Sequence, residues 1–449
     1  MAYKDLREFL NVLQNEHELI VVKEPLSPRY EVAALLRQLS EKDSYPAAMI
    51  ENVEGYSVPV VGNLFGSRKR AALALETTKE ALEKEYLKRK KNPVPPRMVS
   101  EGPVKEVIQK EEPDLTTMLP VLTYHEKDEG QYITQGVVFL KDPQSEKQTM
   151  GIHRIRIKEK ALITIAFESK TSNEFLRRAE ERNAPLEMAV ALGLDPALIM
   201  AAVAWFPFGD KVELAGGLRG EPVEMIQAET VGIYVPAQAM FVLEGLIRPN
   251  SREPEGPFGE STGYYITLHS PVAEIRAITY QKNPIYPVFI PCSLDDGTPL
   301  NICWSGEMLV SLQRDFTNVI GVNFNVLNAS IVVSLKKREV TEARRILYSL
   351  LVSHPYIKNA IIVDDDVDIY NPRDVDWALG SRFQPDRDLI VMHHVAGSPI
   401  DPSCEEKGIT AKMGLDATKP LPGKEKFERA CSVRASKEKT EHLLKKYFS

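Results

Sequence analysis

Cysteine is scarce here: Cys292, Cys303, Cys404 and Cys431 are the only four among 449 residues, and none forms a CxxC pair. Such scatter argues against a disulfide framework and a zinc knuckle, and all four are expected to be reduced, small buried hydrophobes. Long apolar runs are missing too. The opening Met-Ala-Tyr-Lys-Asp-Leu-Arg lacks the apolar stretch of a signal peptide, and no later run approaches the roughly 20 apolar residues that span a bilayer. No membrane association and a cytoplasmic location are expected. There is also no surplus of positive charge, since 56 Lys and Arg face 63 Asp and Glu for a net −7, so nothing general draws the chain to nucleic acid. The eight histidines form no His and carboxylate cluster at ligand spacing, which weakens a metal-dependent hydrolase. What remains is a globular chain, 43% hydrophobic and 27% charged, long enough for two or three domains and suited to a small-molecule partner.

Periodicity organises it. Leu6, Phe9, Leu10 and Leu13 predict a helix, Glu31 to Glu41 predicts another, and Ala48 to Glu51 and Val58 to Val61 read as strands, so residues 1–114 form a mixed α/β region. The basic, proline-rich Lys88 to Pro96 reads as an exposed linker. From 115 to 315 short β-rich runs dominate: Gly136 to Leu140, Ile152 to Ile157, Leu162 to Phe167, Gly232 to Val235 and Ile275 to Tyr280. Separated by turn residues, they predict a barrel or sandwich. One amphipathic helix, Ser172 to Arg182, interrupts them, with Ser172 as its cap and Phe175, Leu176 and Ala179 as its apolar stripe. In 316–424, strand Ile331 to Leu335, helix Thr341 to Ser353 and strand Ala360 to Val363 imply a parallel α/β unit. Residues 425–449 read as a charged helical arm, at the surface or between subunits.

Three segments carry chemistry. In Arg252-Glu-Pro-Glu-Gly-Pro-Phe-Gly-Glu260 two glycines and two prolines fix an irregular backbone, so Glu255 and Glu260 can face one cavity. Two acids that share a site repel when both ionise, which leaves one able to serve as a general acid; the bland alternative is a solvated surface loop. In Thr149-Met-Gly-Ile-His-Arg154 a glycine lets a ligand approach the main chain, and the planar fork of Arg154 suits a carboxylate. By strand alternation His153 points the other way and is structural. The glycine-rich stretch Pro207 to Pro222 matches no nucleotide-binding spacing, and its Glu213 is an oxygen ligand of the type Mg²⁺ or Mn²⁺ prefers, or a salt-bridge partner.

Glu255-Gly-Pro-Phe-Gly-Glu-Ser-Thr-Gly-Tyr-Tyr265, with Glu213-Leu-Ala-Gly-Gly-Leu-Arg219, Val235-Pro-Ala237, Gly397-Ser-Pro-Ile-Asp-Pro-Ser403 and Lys412-Met-Gly-Leu-Asp-Ala-Thr418, resembles the UbiD decarboxylase family in order and over nearly the whole chain. The resemblance implies an α/β multidomain fold: a central flavin-reductase-like split β-barrel between an N-terminal mixed α/β region and a C-terminal α/β domain that closes over the site. It implies prenylated FMN from a flavin prenyltransferase, a divalent cation with K⁺ as a further cation, a carboxylic acid substrate, and a homodimer or homohexamer. Catalytic roles pass to Arg154 (carboxylate clamp), Glu255 (arginine-linked) and Glu260 (proton donor). Thr149, Gly151, Ile152, His153, Arg154, Lys170 and Glu213 would touch the cofactor, with Glu213 as metal ligand. The family's metal-binding Asn is Thr149 here, and Phe167 to Thr171 contains no His. That departure points to Lys170 as the cation that neutralises the phosphate. Were the substrate a phosphorylated enoic acid, Lys170, Arg219 and Arg248 would be its cationic partners. Two further alternatives are a flavin-binding barrel that only carries or reduces its cofactor and a noncatalytic assembly subunit.

Overall fold

The computed structural model describes residues 3–42, 44–206, 209–398, 400–405, 408–430 and 434–448; Cys431 lies outside them. Leu6, Phe9, Leu10 and Leu13 are the buried face of the helix Leu6–Asn15, whose first turn is capped by Asp5 accepting from the Glu8 amide. This helix and its successor, Glu31–Ser40, pack beside a four-stranded sheet ordered Leu19–Val22, Ala47–Ile50, Val60–Gly62, Tyr286–Pro287. Its last strand comes from beyond the barrel, and one continuous apolar core runs from Leu6 to Cys303.

The stretch Lys88 to Pro96 divides: residues 88–90 belong to a helix, and residues 91–96 are an irregular, mostly exposed connector as expected. Lys88, Arg89 and Lys90 end the helix Leu82–Lys90, where cations meet the negative end of the helix dipole. Arg89 Nη1 donates to the Leu218 carbonyl (2.7 Å) and the Val94 amide to the Glu213 carbonyl (2.9 Å). A Cβ on Gly216 or Gly217 would stand 2.4 Å from the Val94 oxygen or 2.6 Å from the Asn92 oxygen, so two glycines admit the chain onto the next helix.

The central sheet has nine strands, and its connectivity shows that it curls. From one end the order is Tyr132–Ile133, Ile155–Glu159, Leu162–Ile165, Tyr265–Tyr280, Phe241–Gly259, Leu186–Leu192, Val137–Lys141 and Gln148–Ile152, with Val107–Gln109 paired to Tyr265–Tyr280. Ile152 ends one edge strand and Ile155 opens a strand near the opposite edge. Three chain steps reach only about 10 Å, so the two sides must meet, with His153 and Arg154 at the seam of an incompletely closed barrel. The expected single strand Ile152 to Ile157 is therefore two. Gly232 to Val235 also falls elsewhere, since Tyr234–Pro236 joins a separate sheet with Glu224–Gln227 and Arg97–Met98.

The helix Leu294–Asp315 leads into a five-stranded sheet in which Ser330–Leu335 and Asn359–Asp364 pair in parallel across the helix Glu342–Ser353. This domain has its own core, and no described helix is long and apolar enough to cross a membrane. One buried cation braces it. Arg382 Nη1 donates to Asp364 Oδ2 (2.9 Å) and Nη2 to Asp366 Oδ2 (2.8 Å), with the guanidinium stacked on Trp377. Arg382→Ala leaves the buried Asp364 with the Lys419 amide alone (2.7 Å), while Asp366 keeps Lys419 Nζ (2.7 Å), so urea unfolding of the variant is expected to show a loss of about 1.5–3 kcal/mol. An unchanged midpoint would show the pairs to be neutral.

Candidate active site

The seam and one hairpin bring Arg154, Glu255 and Glu260 together. Glu255 and Glu260 are five residues apart, an odd number, which in a regular strand would send them to opposite faces. Between Glu255 and Phe258 the Phe241–Gly259 strand advances three residues while its partner advances two, Leu268 to Ile266. This bulge inserts one extra residue and restores parity. Gly256 makes it possible with φ +115°, at a point where a Cβ would lie 2.5 Å from the Ile266 oxygen. The chain then turns, with the Glu260 amide donating to the Tyr264 carbonyl (2.9 Å).

Arg154 receives both acids. Its Nη2 and Nε donate to Glu255 Oε2 at 2.7 and 3.2 Å, and its Nη1 donates to Glu260 Oε2. Phe258 lies under the guanidinium, whose carbon is 5.1 Å from the ring centroid. Glu255 is fully buried, and its Oε1 has no hydrogen-bond partner. Glu260, less buried, opens onto a cavity of about 1600 Å³.

That cavity also exposes Thr149, Gly151, Ile152, His153, Arg154 and Lys170. His153 thus shares the cavity with Arg154, contrary to strand alternation, because both lie in the break between two strands where period two does not apply. Burial, then the nearby charge of Lys211, push its pKa down to about 3, so the imidazole is neutral. Ser172 Oγ stands 3.5 Å from its Nε2. Ser172 is consequently not the helix cap: Lys170–Glu181 is capped by Ser169, which accepts from the Ser172 amide, while Phe175, Leu176 and Ala179 are buried as the stripe predicts.

Three cavity groups escaped the sequence. Desolvation against the cavity wall, then the charge of Glu260, raise the Glu168 carboxyl even though the residue is open to solvent, and burial with the charges of Glu260 and Asp295 push Asp296 up to about 7. Lys211 opens the helix Lys211–Arg219 after its cap Asp210, donates to the Ala202 carbonyl (2.7 Å), and is pushed down to about 8 by burial. Its place in a first helical turn lining the cavity was the available signal, because free amides and a cation there suit an anion. His354 and Tyr356 reach the same cavity from the C-terminal domain.

Other candidates fall outside. Glu213 is in the first turn of Lys211–Arg219 but does not line the cavity, and among the described residues no three His, Cys, Asp or Glu side chains gather as a metal site. Arg219 is committed to Asp195 (3.3 Å) and Glu221 (3.1 Å), and Arg248 to Glu274 (3.0 Å). Neither faces the cavity, so as partners of a phosphorylated substrate both are corrected.

Family models for the 3-octaprenyl-4-hydroxybenzoate carboxy-lyase N-terminal, Rift-related and C-terminal domains match residues 10–90, 97–294 and 307–417. Among relatives, phenolic acid decarboxylase of Sedimentibacter hydroxybenzoicus is 34% identical, covering 94% of this chain and 92% of that protein. Anhydromevalonate phosphate decarboxylase of Methanosarcina mazei is 32% identical, covering 96% and 99%. The FMN complex of the UbiD-class enzyme HmfF from Pelotomaculum thermopropionicum superposes with a TM-score of 0.92 at 35% identity, over 97% of this chain and 98% of that one. Seam, hairpin, cavity and these matches lead to one conclusion: the chain belongs to the UbiD family of prenylated-FMN-dependent (de)carboxylases.

Proposed function

We propose that this carboxy-lyase reversibly decarboxylates an α,β-unsaturated or (hetero)aromatic carboxylic acid, with Arg154 holding the carboxylate and Glu260 supplying the proton. The observation that carries the reading is one guanidinium gripped by two carboxylates at the wall of a cavity of about 1600 Å³. The residues present fit the cofactor. The space exceeds the roughly 300–1,000 Å³ of ordinary ligand pockets, the Thr149 to Arg154 segment supplies a glycine-thinned wall, and Lys170 and Lys211 supply cations for its phosphate. When bound, the prenylated flavin supplies the electron sink for the pair left by departing carbon dioxide.

The protein's own part follows from Arg154. Glu255 fixes one edge of the guanidinium through Nε and Nη2. Nη1, now on Glu260, is the position an incoming carboxylate can take, which frees Glu260 to face the reacting carbon. Once carbon dioxide has left, Glu260 gives its proton to the carbon left behind, which allows product to leave; in reverse it removes that proton. Glu168 and Asp296 set the charge of the site. Arg219 and Arg248 are paired with carboxylates away from the cavity and do not serve a phosphate on the substrate. This favours a phosphate-free acid over the chemistry named for the Methanosarcina relative. Cofactor supply by a flavin prenyltransferase, a cytoplasmic location and assembly as a homodimer or homohexamer belong to the same reading.

The test is coexpression with a flavin prenyltransferase, then carbon dioxide release from 4-hydroxybenzoate, 2-furoate, cinnamate and a phosphorylated enoic acid, with deuterium from solvent followed in the product. Release and labelling with one of the first three are expected. Turnover of the phosphorylated acid alone would overturn the substrate class, and no release from any acid would favour a carrier or assembly role.

A further inference from the structure

The turn that presents Glu260 is held from the N-terminal region by a chain of buried polar contacts. The Gly259 amide, one residue before Glu260, donates to Asp128 Oδ1 (2.8 Å), and the His125 amide donates to Asp128 Oδ2 (2.8 Å). The Asp128 side chain is fully buried. His125 Nδ1 stands 3.3 Å from the same Oδ2, and Arg37 Nη2 stands 2.7 Å from His125 Nε2 and 2.7 Å from the Pro291 carbonyl. Arg37 comes from the last turn of the helix Glu31–Ser40, an element with no part in the cavity wall.

The polarity of this chain is fixed by its members. Arginine has donors and no acceptor, so His125 Nε2 must accept and the ring proton must sit on Nδ1. Nδ1–H then donates to Asp128, an acceptor only, whose other oxygen is left for the Gly259 amide. The packing is equally particular. A Cβ on Gly259 would lie 2.4 Å from His125 Nδ1, and His125 meets Phe258 and Tyr265 edge-on, both with centroids 6.3 Å away. The Glu129 amide adds a bond to the Pro257 carbonyl (2.9 Å), so the segment around Asp128 grips the hairpin on both sides of Phe258.

We propose that Arg37, His125 and Asp128 form a positioning relay that sets where the Glu260 carboxyl stands relative to Arg154, an inference resting on Glu260 being the proton donor. None of the three touches the reacting atoms. Their effect is on placement, and a misplacement of about 1 Å can lower a rate roughly a hundredfold.

The experiment uses holoenzyme made with a flavin prenyltransferase and the most rapidly turned-over acid among 4-hydroxybenzoate, 2-furoate and cinnamate. Asp128→Asn must turn an NH₂ toward one of its donors, so kcat is expected to fall about 10- to 100-fold, with KM within about threefold and bound-flavin absorbance retained. His125→Asn places an amide nitrogen where Nδ1 stands and should recover most of the rate that His125→Leu loses. A purely structural role would not produce that rescue. Arg37→Met decides the matter if Asp128→Asn fails to load cofactor. Arg37→Met and His125→Leu both within twofold of wild type in kcat, while Glu260→Gln is inactive, would overturn the relay. An active Glu260→Gln would instead remove the proton-donor assignment beneath it.

Discussion

Glu260→Gln is expected to keep its bound flavin and lose at least about a hundredfold in turnover, since a positioned general acid contributes roughly 10²- to 10⁴-fold. Glutamine keeps an oxygen that can accept from Arg154 Nη1, its NH₂ then replaces the acceptor of the Ser261 amide (2.9 Å), and the transferable proton is gone. Single-turnover carbon dioxide release and solvent deuterium uptake read the two halves of the reaction separately. Uptake should suffer more, because bond cleavage does not need the proton and product release does. Turnover within about threefold of wild type would remove Glu260 from the mechanism.

The charge around Arg154 explains why the acids must differ. One guanidinium already carries two carboxylates, and a substrate would bring a third. Glu255, fully buried and held by two donors of Arg154, cannot leave without stranding a cation. Glu260 is bound through one nitrogen at the open side and is the acid that can yield its place. The raised carboxyls of Glu168 and Asp296 fit the same balance, because Glu260's charge contributes to both shifts. A site with so little spare positive charge accepts an anion best when a proton accompanies it.

Much of this was legible in the sequence where the determinant is local. The spacing of Leu6, Phe9, Leu10 and Leu13 states the buried face of the first helix, and the two glycines and Pro257 between Glu255 and Glu260 state an irregular backbone. Failures came where distant contacts override local preference. The linker read at Lys88 to Pro96 holds for residues 91–96, but its first three residues close a helix packed on distant residues such as Leu218. Alternation misplaces His153 because the strand break follows from barrel closure, a property of the whole sheet. Gly297 and Pro299 conceal the helix Leu294–Asp315. Within it Asp295 and Asp296 look alike, yet Asp295 accepts the Asn63 and Phe65 amides while Asp296, a third of a turn away, lines the cavity.

Lys211→Met is expected to weaken FMN binding to the apoprotein by roughly 10- to 100-fold, the worth of one charge-assisted hydrogen bond of about 1.5–3 kcal/mol. Lys211 lines the cavity, its Nζ donates to the Ala202 carbonyl, and among the described residues no carboxylate pairs with it. Burial holds its pKa at about 8, below the lysine range, and a phosphate beside it would raise it again. A base with a higher pKa in the complex than in the free protein takes up a proton on binding once the pH passes the free value. Affinity should therefore be flat below about pH 8 and fall above it, by at most about tenfold per pH unit. The slope should vanish in Lys211→Met and for riboflavin, which lacks the phosphate. Lys170, at the exposed start of its helix, is the comparison: a screened surface charge is worth at most about 1 kcal/mol, so Lys170→Ala should change affinity by less than about fivefold. Fluorescence titration of FMN from pH 7 to 10 separates the two lysines, and equal slopes in wild type and Lys211→Met would return the phosphate to Lys170 or to a metal.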